Sequence, residues 1–186
     1  QPMPLPPEIY SPFVSLILQG EKRLQMGERS LRYSAGEMFT ASFDLPATGE
    51  ITEASEISPY LAVRLTLDFT AISELLHQMP MTDAPKTKSG MSVNRVDEAL
   101  VDAWLRMVRL IAKPGEIRVM APLVEREILY RLLLSPQGGL LRQAAEVNGH
   151  FAKIRKALDW LRTHYATAFR MEDLAAIAGM SLSAFH

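Results

Sequence analysis

The sequence predicts an α+β protein in which a strand-rich first third is followed by helices. Short apolar stretches recur about every 8–12 residues between residues 10 and 68, and turn residues separate them. This pattern is typical of a sandwich or a small barrel. The apolar spacing becomes helical from residue 69 to about residue 135. The chain then ends in a mildly basic helical tail.

The first strands are predicted from apolar runs and the glycines that end them. The run SPFVSLILQG (11–20) is typical of a buried strand that stops at Gly20. The segment 23–33 alternates in polarity around Gly27 and Glu28, which predicts a hairpin.

The remaining strands are predicted from the same two signals, apolar alternation and turn residues. MFTAS (38–42) is the next strand, and DLPATG (44–49) is expected to be a loop. In the last clear strand, 60–68, Leu61, Val63, Leu65 and Leu67 face one way, and Arg64 lies on the other face.

The helices are predicted from apolar residues at helical spacing. Asp68 is expected to cap a helix over 69–79. After MSV (91–93), which could return one strand to the sheet, a helix is expected from Asn94 to Ile111. Pro122 is expected in the first turn of the next helix, which ends before Ser135 and Pro136.

Composition and charge exclude several classes of protein. The 186 residues contain no cysteine, so disulfides and thiolate chemistry are excluded, and a reducing cytoplasm suits the chain. No apolar run reaches the roughly 18 residues that a membrane-spanning helix needs. The net charge of −1 conceals an asymmetry, because residues 1–68 carry five basic and nine acidic side chains, whereas residues 151–186 carry five and three. We therefore expect any anion-facing end at the C-terminus, although a mildly basic, solvated helix more often gives the same count.

The last residues fit the spacing of a helix-turn-helix. Ala175 is small enough for two helices to cross closely, and Gly179 can take the left-handed conformation that ends a helix. Ser181 can then cap a second helix. In such motifs the second helix enters the major groove, which makes Ser181, Ser183 and His186 the candidate DNA-binding residues. The pattern alone also fits any helical hairpin that has a glycine C-cap.

Longer segments resemble one family of regulators. The tail IRKALDWLRTHYATAFRMEDLAAIAGMSLSAFH is similar to the opening of an AraC/XylS-type DNA-binding domain. The segments YSPFVSLILQGEKRLQMGERSLRYSAGEMFTASFDLPATGEITEAS, PYLAVRLTLD and APLVEREILYRLLLSPQG resemble the N-terminal domain of one subgroup of these regulators. The resemblance implies a cupin-like β-barrel that binds an effector, a helical layer used for dimerisation, and the start of an all-α helix-turn-helix domain.

The resemblance also implies a division of the chain. We expect an effector and dimerisation domain over 1–149 and an incomplete DNA-binding domain over 150–186. On this interpretation the chain is a truncated regulator that stops within its first recognition helix, and binding of DNA by the chain itself is in doubt.

Catalysis is not expected. A metal-binding cupin usually carries an H-x-H pair with a glutamate and a third histidine, and the segment 10–68 contains no histidine. The four histidines are His77, His150, His164 and His186. The chain also has no G-x-S-x-G, P-loop or G-x-G-x-x-G motif. We therefore predict no catalytic residue, no metal site and no cofactor.

The predicted barrel could still bind a small molecule without catalysing a reaction. Arg64 could hold an anionic ligand, although a solvent-facing arginine is the favoured interpretation. Tyr33, Tyr60 and Met38 could line a cavity, but such residues more often fill the core of a small barrel.

The helix over 94–111 has a second apolar stripe, formed by Val101, Leu105 and Val108. A helix that is apolar on two sides is either sandwiched in its own domain or shared with a partner. Together with the resemblance, this stripe predicts a homodimer built on these helices.

The leading hypothesis is therefore a cytoplasmic, ligand-responsive transcriptional regulator that binds promoter DNA as a dimer and an unknown small-molecule effector. The alternative from a different class is a stand-alone cupin-like enzyme or small-molecule-binding module. A third possibility is a dimerisation module whose barrel binds no ligand.

Overall fold

A computed structural model describes residues 3–80, 89–146, 150–165 and 167–185. It has the α+β architecture that the sequence predicts, with two antiparallel sheets followed by helices. The strands are β1 Met3–Tyr10, β2 Phe13–Gln19, β3 Glu21–Met26, β4 Arg29–Ser34, β5 Glu37–Ala41, β6 Leu45–Glu53, β7 Leu61–Thr66 and β8 Met91–Arg95.

The eight strands found among the described residues form two sheets of four. Their orders are β1-β6-β3-β4 and β7-β2-β5-β8. The predicted hairpin is confirmed, since Met26 pairs with Arg29 across the two-residue turn that begins at Gly27. Gly27 has a φ of 57°, a conformation that glycine adopts without strain. The predicted return strand is β8, which pairs with β5.

Strand β2 separates two apolar cores because its side chains alternate between its faces. Phe13 and Ile17 belong to a barrel core between the sheets, together with Leu24 and Phe39. Val14 and Leu16 belong to a second core that the helices cover. Burial on both faces explains why this strand is a continuous apolar run.

Within the described ranges, seven helices follow or interrupt the strands. They are α1 Phe69–Gln78, α2 Glu98–Arg109, α3 Pro114–Leu134, α4 Gly138–Ala145, α5 His150–His164, α6 Met171–Ala178 and α7 Leu182–Phe185. The Asp68 carboxylate accepts a hydrogen bond from the Thr70 N–H at 2.8 Å, so the predicted cap of α1 is confirmed. One turn of 3₁₀-helix, Leu110–Ala112, joins α2 to α3.

Three predicted boundaries are wrong. Asn94 lies in β8 rather than in a helix, and α2 begins at Glu98 because Asp97 caps it through the Leu100 N–H. Pro122 lies inside α3, which begins at Pro114. A proline removes one helical hydrogen bond, and here both Pro122 and the residue four positions earlier, Arg118, are exposed, so water can satisfy the free carbonyl.

The third error concerns the segment 44–49, which is predicted as a loop although residues 45–49 belong to β6. Leu45, Ala47 and Gly49 alternate into the interior. Pro46 is tolerated because it pairs with Ile9 of β1 on one side, whereas the pairing of β6 with β3 ends at Thr48.

Candidate functional site

Arg64 lies against the aromatic side chains of the barrel core. It is opposite Ser15 in the pairing of β7 with β2, so it shares a face with Phe13. Its Cζ is 4.4 Å from the centroid of the Phe13 ring and 4.9 Å from that of Tyr10. The residue remains exposed. Arg64 is therefore open to solvent, as the favoured interpretation of the sequence expects, and its guanidinium also covers two rings of the core.

Lys22 is a second cation at the same place. It lies on β3, two residues before Leu24, and its Nζ is 5.4 Å from the centroid of the Tyr10 ring. Burial lowers the pKa of the Lys22 ammonium, and the positive charge of Arg64 lowers it further, whereas Glu8 acts in the opposite direction. Two cations therefore lie over the ring of one tyrosine.

Tyr33 and Tyr60 are the sequence-predicted residues that lie near this pair. Tyr33 is 1% exposed and pairs with Lys22 across β3 and β4. Its hydroxyl lies close to Ser15 without a well-formed hydrogen bond, and burial raises its pKa to about 12. Tyr60 packs against the same core, and burial raises its pKa as well.

Met38 is not part of this group. It is fully buried in the core that the helices cover, on the other face of the sheet from Phe39. The residues that the structure does bring together at one place are Tyr10, Lys22, Tyr33, Tyr60 and Arg64, which we call the tyrosine–cation cluster.

Two members of the tyrosine–cation cluster, Tyr10 and Lys22, are absent from the sequence prediction. The alternation of β3 offers a signal for Lys22, because residues two apart on a strand share a face and Leu24 is apolar. No local signal identifies Tyr10, which reaches Lys22 only because β6 lies between β1 and β3.

An exposed apolar surface extends over α2 and the start of α3. Leu105 and Val108 are 42% and 38% exposed, and Ile111 and Ile117 are 76% and 40% exposed. Val108, Ile111 and Ile117 line one cavity of about 310 Å³ against β7. Val101, the third residue of the predicted stripe, is half-buried. We call Leu105, Val108, Ile111 and Ile117 the α2–α3 apolar surface.

Helices α6 and α7 are joined by a tight turn. Gly179 ends α6 with a φ of 64°, and its N–H donates to the carbonyl of Ala176. The Ser181 hydroxyl accepts a hydrogen bond from the Ala184 N–H at 3.3 Å, which caps α7. Phe185 packs on a small core formed by Ala157, Leu174 and Ala178.

The candidate DNA-facing residues lie at this turn. Ser181 and Ser183 are both exposed. Their hydroxyl oxygens are 3.2 Å apart. His186 lies outside the described residues.

An ion pair connects α5 to the sheets. Arg162 Nη2 is 3.0 Å from Oδ1 of Asp44, and the Asp44 side chain is only 6% exposed. Beside the pair is a cavity of about 410 Å³, lined mainly by apolar side chains of α5 and of the first sheet. Its lining residues are Ile9, Asp44, Pro46, Leu158, Leu161, Arg162 and Tyr165.

Neither a metal centre nor a membrane span is found in the part of the chain that the structure describes. No three His, Asp or Glu side chains within these ranges are grouped so that they could hold a metal ion. None of the described helices combines the length and the apolar character needed to cross a bilayer.

Comparison with known proteins gives a family and a fold. Residues 1–140 match the family described as the AraC-type transcriptional regulator N-terminus. None of the curated protein sequences is significantly similar to the chain.

Three solved structures are similar. An apo variant of ToxT from Vibrio cholerae strain SCE256 is 8% identical, with a TM-score of 0.61 over 97% of this chain and 67% of that chain. The AraC-like transcriptional activator CuxR is 14% identical, with a TM-score of 0.41 over 95% of this chain and 59% of that one. Unsaturated fatty acid-bound ToxT from the same strain is 12% identical, with a TM-score of 0.42 over 100% of this chain and 84% of that one.

Only the first of these structures has a TM-score above 0.5, and it supports the cupin-like α+β fold. The present chain spans about two thirds of the length of that ToxT chain. Because the family profile covers residues 1–140 of 186, we conclude that this chain belongs to the family of AraC-type transcriptional regulator N-termini.

Proposed function

We propose that the chain is the sensor and dimerisation part of a ligand-responsive, sequence-specific DNA-binding transcriptional regulator. Membership of the AraC-type family supports regulation rather than catalysis. We divide the chain into an effector and dimerisation domain over 1–149 and the start of a DNA-binding domain over 150–186. The protein acts in the cytoplasm, where its promoter DNA lies.

The observation that carries this proposal is the geometry of the turn between α6 and α7. Gly179 in the left-handed region and the Ser181 cap set two short helices at a tight corner. This is the arrangement in which a second helix enters the major groove and its N-terminal residues contact bases. Ser181, Ser183 and His186 are the proposed DNA-binding residues.

The effector binds at the barrel. Arg64, Tyr33 and Tyr60 are the sequence-predicted residues at this site, and Lys22 and Tyr10 complete it. A ligand there contacts aromatic rings from two sheets, because Tyr10 belongs to β1 and Phe13 to β2. Binding at such a junction favours one arrangement of the sheets over another, which is what a sensor requires.

The ion pair between Asp44 and Arg162 is the proposed link between sensor and DNA-binding domain. Asp44 directly precedes β6, and Arg162 lies on α5, which packs against α6. A change in the barrel that moves the start of β6 therefore shifts α5. The effector in this way biases the protein between arrangements that do and do not bind DNA.

The dimer forms through the α2–α3 apolar surface. Four exposed apolar side chains on adjoining elements are more than a monomer usually presents to water at one place. Val101, Leu105 and Val108 on α2 provide the sequence-predicted part of the contact. A two-fold dimer would place two DNA-binding domains on two half-sites.

Fluorescence anisotropy with DNA from upstream of the protein's own gene tests this proposal. The present chain and a version with a complete AraC-type DNA-binding domain are titrated in parallel at several salt concentrations. We expect selective, salt-dependent binding by the longer version. Equal affinity for this DNA and for a scrambled sequence would overturn the proposal.

A further inference from the structure

We propose that the cavity between α5 and the outer face of the first sheet, which we call the α5 cavity, binds a small neutral molecule that carries an apolar ring and a carbonyl oxygen. This site lies outside the barrel and is separate from the effector site proposed above. A molecule bound there strengthens the contact between α5 and the sheet.

The sheet wall of the α5 cavity belongs to the outer face of β1 and β6. Ile9 and Pro46 are paired across these strands and line the cavity. The next pair along, Tyr10 and Leu45, belongs to the barrel core. Because neighbouring residues of a strand point to opposite faces, Ile9 and Pro46 face away from the barrel. A molecule in this cavity therefore does not enter the barrel.

The helix wall of the α5 cavity consists of one face of α5 and the residue after its end. Leu158, Leu161 and Tyr165 recur at positions i, i+3 and i+7, which is the spacing of a single helix face. Tyr165 is 81% exposed, and Ile9 on the opposite wall is 54% exposed. Both walls thus present apolar side chains that neighbouring residues leave largely uncovered.

The size of the α5 cavity suits a molecule built on a ring. Its volume is about 410 Å³, and ligand pockets in proteins usually measure about 300–1,000 Å³. A dry apolar cavity of about 150 Å³ is already enough for benzene. Because the lining is mainly apolar, a ring that enters exchanges contact with water for contact with Ile9, Leu158 and Leu161. An apolar ring is therefore the part of the ligand that the cavity selects.

The charges at the α5 cavity disfavour an ion. Asp44 and Arg162 are the charged side chains among the described residues that line it, and they already form an ion pair with each other. The almost completely buried Asp44 carboxylate repels an anion. A cation meets a carboxylate that Arg162 already neutralises, and either ion loses its hydration on entry. The cavity therefore favours a neutral molecule.

Arg162 specifies the polar part of the molecule. Its side chain is 39% exposed, and a guanidinium carries five N–H donors, more than a pair with one carboxylate needs. A carbonyl oxygen at the edge of the cavity can accept one of the other N–H groups without bringing a charge. One arginine of α5 then contacts both Asp44 and the ligand. The ligand in turn contacts the sheet, so binding strengthens the attachment of α5.

The test uses three probes of nearly the same shape that differ in charge. Acetophenone is neutral, benzoate is an anion and benzamidinium is a cation. Amide chemical shifts of the isotopically labelled chain are followed by NMR during each titration, so that affinity and position are measured together. We expect acetophenone to shift the amides of Ile9, Leu158 and Leu161 saturably, and the two ions to do so at least about tenfold more weakly.

The attachment of α5 is measured by amide hydrogen exchange. Exchange throughout α5 should slow about tenfold when acetophenone is present at about ten times its Kd, because the ligand binds only while α5 is attached to the sheet. Exchange in β2, which lies in the other sheet, should not change.

Two substitutions narrow the α5 cavity from opposite walls. We expect Leu158→Trp and Ile9→Trp each to weaken acetophenone binding at least about tenfold, because the larger side chain occupies the space of the ring. Leu158 is preferred to Leu161, which also packs on the core between α5 and α6. The matched control is Leu134→Trp at an exposed position of α3, which should leave the affinity unchanged.

Four results would overturn the inference. They are equal binding of the three probes at the α5 cavity, saturable shifts confined to the barrel core, unchanged affinity in both tryptophan variants of the cavity, and no saturable shift up to roughly 10 mM acetophenone. Failure of the proposed function is distinguishable, because it is measured with DNA. Acetophenone binding at α5, together with no selective DNA binding by the longer version, contradicts the regulator and not this site.

Discussion

Asp44 Oδ1 lies 3.0 Å from Arg162 Nη2, and this ion pair joins the residue before β6 to the last turn of α5. The aspartate is almost completely buried, whereas the arginine is 39% exposed. A buried carboxylate needs its partner more than an exposed one does, because water cannot replace the lost contact. The pair is therefore a specific constraint on the position of α5.

Removal of the Asp44 charge should loosen α5. We expect Asp44→Asn to lower the free energy of unfolding by about 1–3 kcal/mol and to speed amide hydrogen exchange in α5. The matched control is Glu116→Gln, whose exposed ion pair with Lys113 should contribute less than about 1 kcal/mol. Equal effects of the two substitutions would show that the Asp44–Arg162 pair does not position α5.

Gly179 should be essential to the turn between α6 and α7. Its φ of 64° is unfavourable for a residue with a Cβ atom, and no neighbouring atom blocks a Cβ there. Gly179→Ala should therefore cost about 1–2 kcal/mol through backbone strain alone, and amide exchange of α6 and α7 should rise about tenfold.

The control for this experiment is Gly115→Ala. Gly115 lies in the first turn of α3, has no positive φ and also has open space around it. The alanine should be neutral or slightly stabilising there. Unchanged exchange in Gly179→Ala would mean that the left-handed turn does not hold the two helices.

If the effector of the barrel is an anion, its affinity, measured with benzoate as a probe, should fall as the pH rises. The folded-state pKa of Lys22 is below its usual value because of burial and Arg64, with Glu8 opposing. The hydroxyls of Tyr10, Tyr33 and Tyr60 have raised pKa values and stay protonated. Lys22 is therefore the group of the cluster that loses its charge below the ordinary lysine pKa.

The direction of this pH dependence follows from the negative charge of the ligand. A bound carboxylate favours the protonated lysine, so affinity for benzoate is highest well below the lowered pKa and declines through it. Calorimetry between about pH 7 and about pH 10 measures this decline. Lys22→Arg should flatten it. Affinity that is constant in the wild-type chain, or that rises with pH, would show that the Lys22 ammonium does not contribute to binding of the anion.

The α2–α3 apolar surface should control the oligomeric state. We expect Val108→Glu or Ile117→Glu to convert a dimer into a monomer, because a buried unpaired carboxylate opposes association. Light scattering after size-exclusion chromatography measures the mass. Leu134→Glu is the control, since Leu134 is 62% exposed at the far end of α3. A dimer that persists in both α2–α3 variants would place the interface elsewhere.

Local signals in the sequence predict much of the fold. Gly27 predicts the β3–β4 hairpin, Asp68 predicts the start of α1, and Gly179 with Ser181 predicts the turn before α7. Each of these features depends on residues within one turn of the chain. Short-range chemistry is therefore sufficient to place them.

Prolines account for most of the strand and helix boundaries that the sequence predicts wrongly. Pro4, Pro6 and Pro7 hide β1, which tolerates them as an edge strand. Pro46 hides the start of β6, and Pro122 suggests a helix start where α3 continues. In each case the missing N–H lies where no partner strand or buried carbonyl needs it, which only the tertiary structure reveals.

The tyrosine–cation cluster is only partly predictable for a different reason. Arg64, Tyr33 and Tyr60 are found from strand alternation and residue type. Lys22 reaches Tyr10 only through the order β1-β6-β3, which pairs strands far apart in sequence. Met38 has the right residue type, but the register of β5 turns it towards the helices.

The most direct test of the central claim measures whether the barrel controls DNA binding. The affinity of a version with the complete DNA-binding domain for its promoter DNA is measured by anisotropy, with and without saturating benzoate or octanoate. We predict that a bound carboxylate changes the Kd several-fold and that Arg64→Leu abolishes the change. An unchanged Kd with the barrel site occupied would contradict a ligand-responsive regulator.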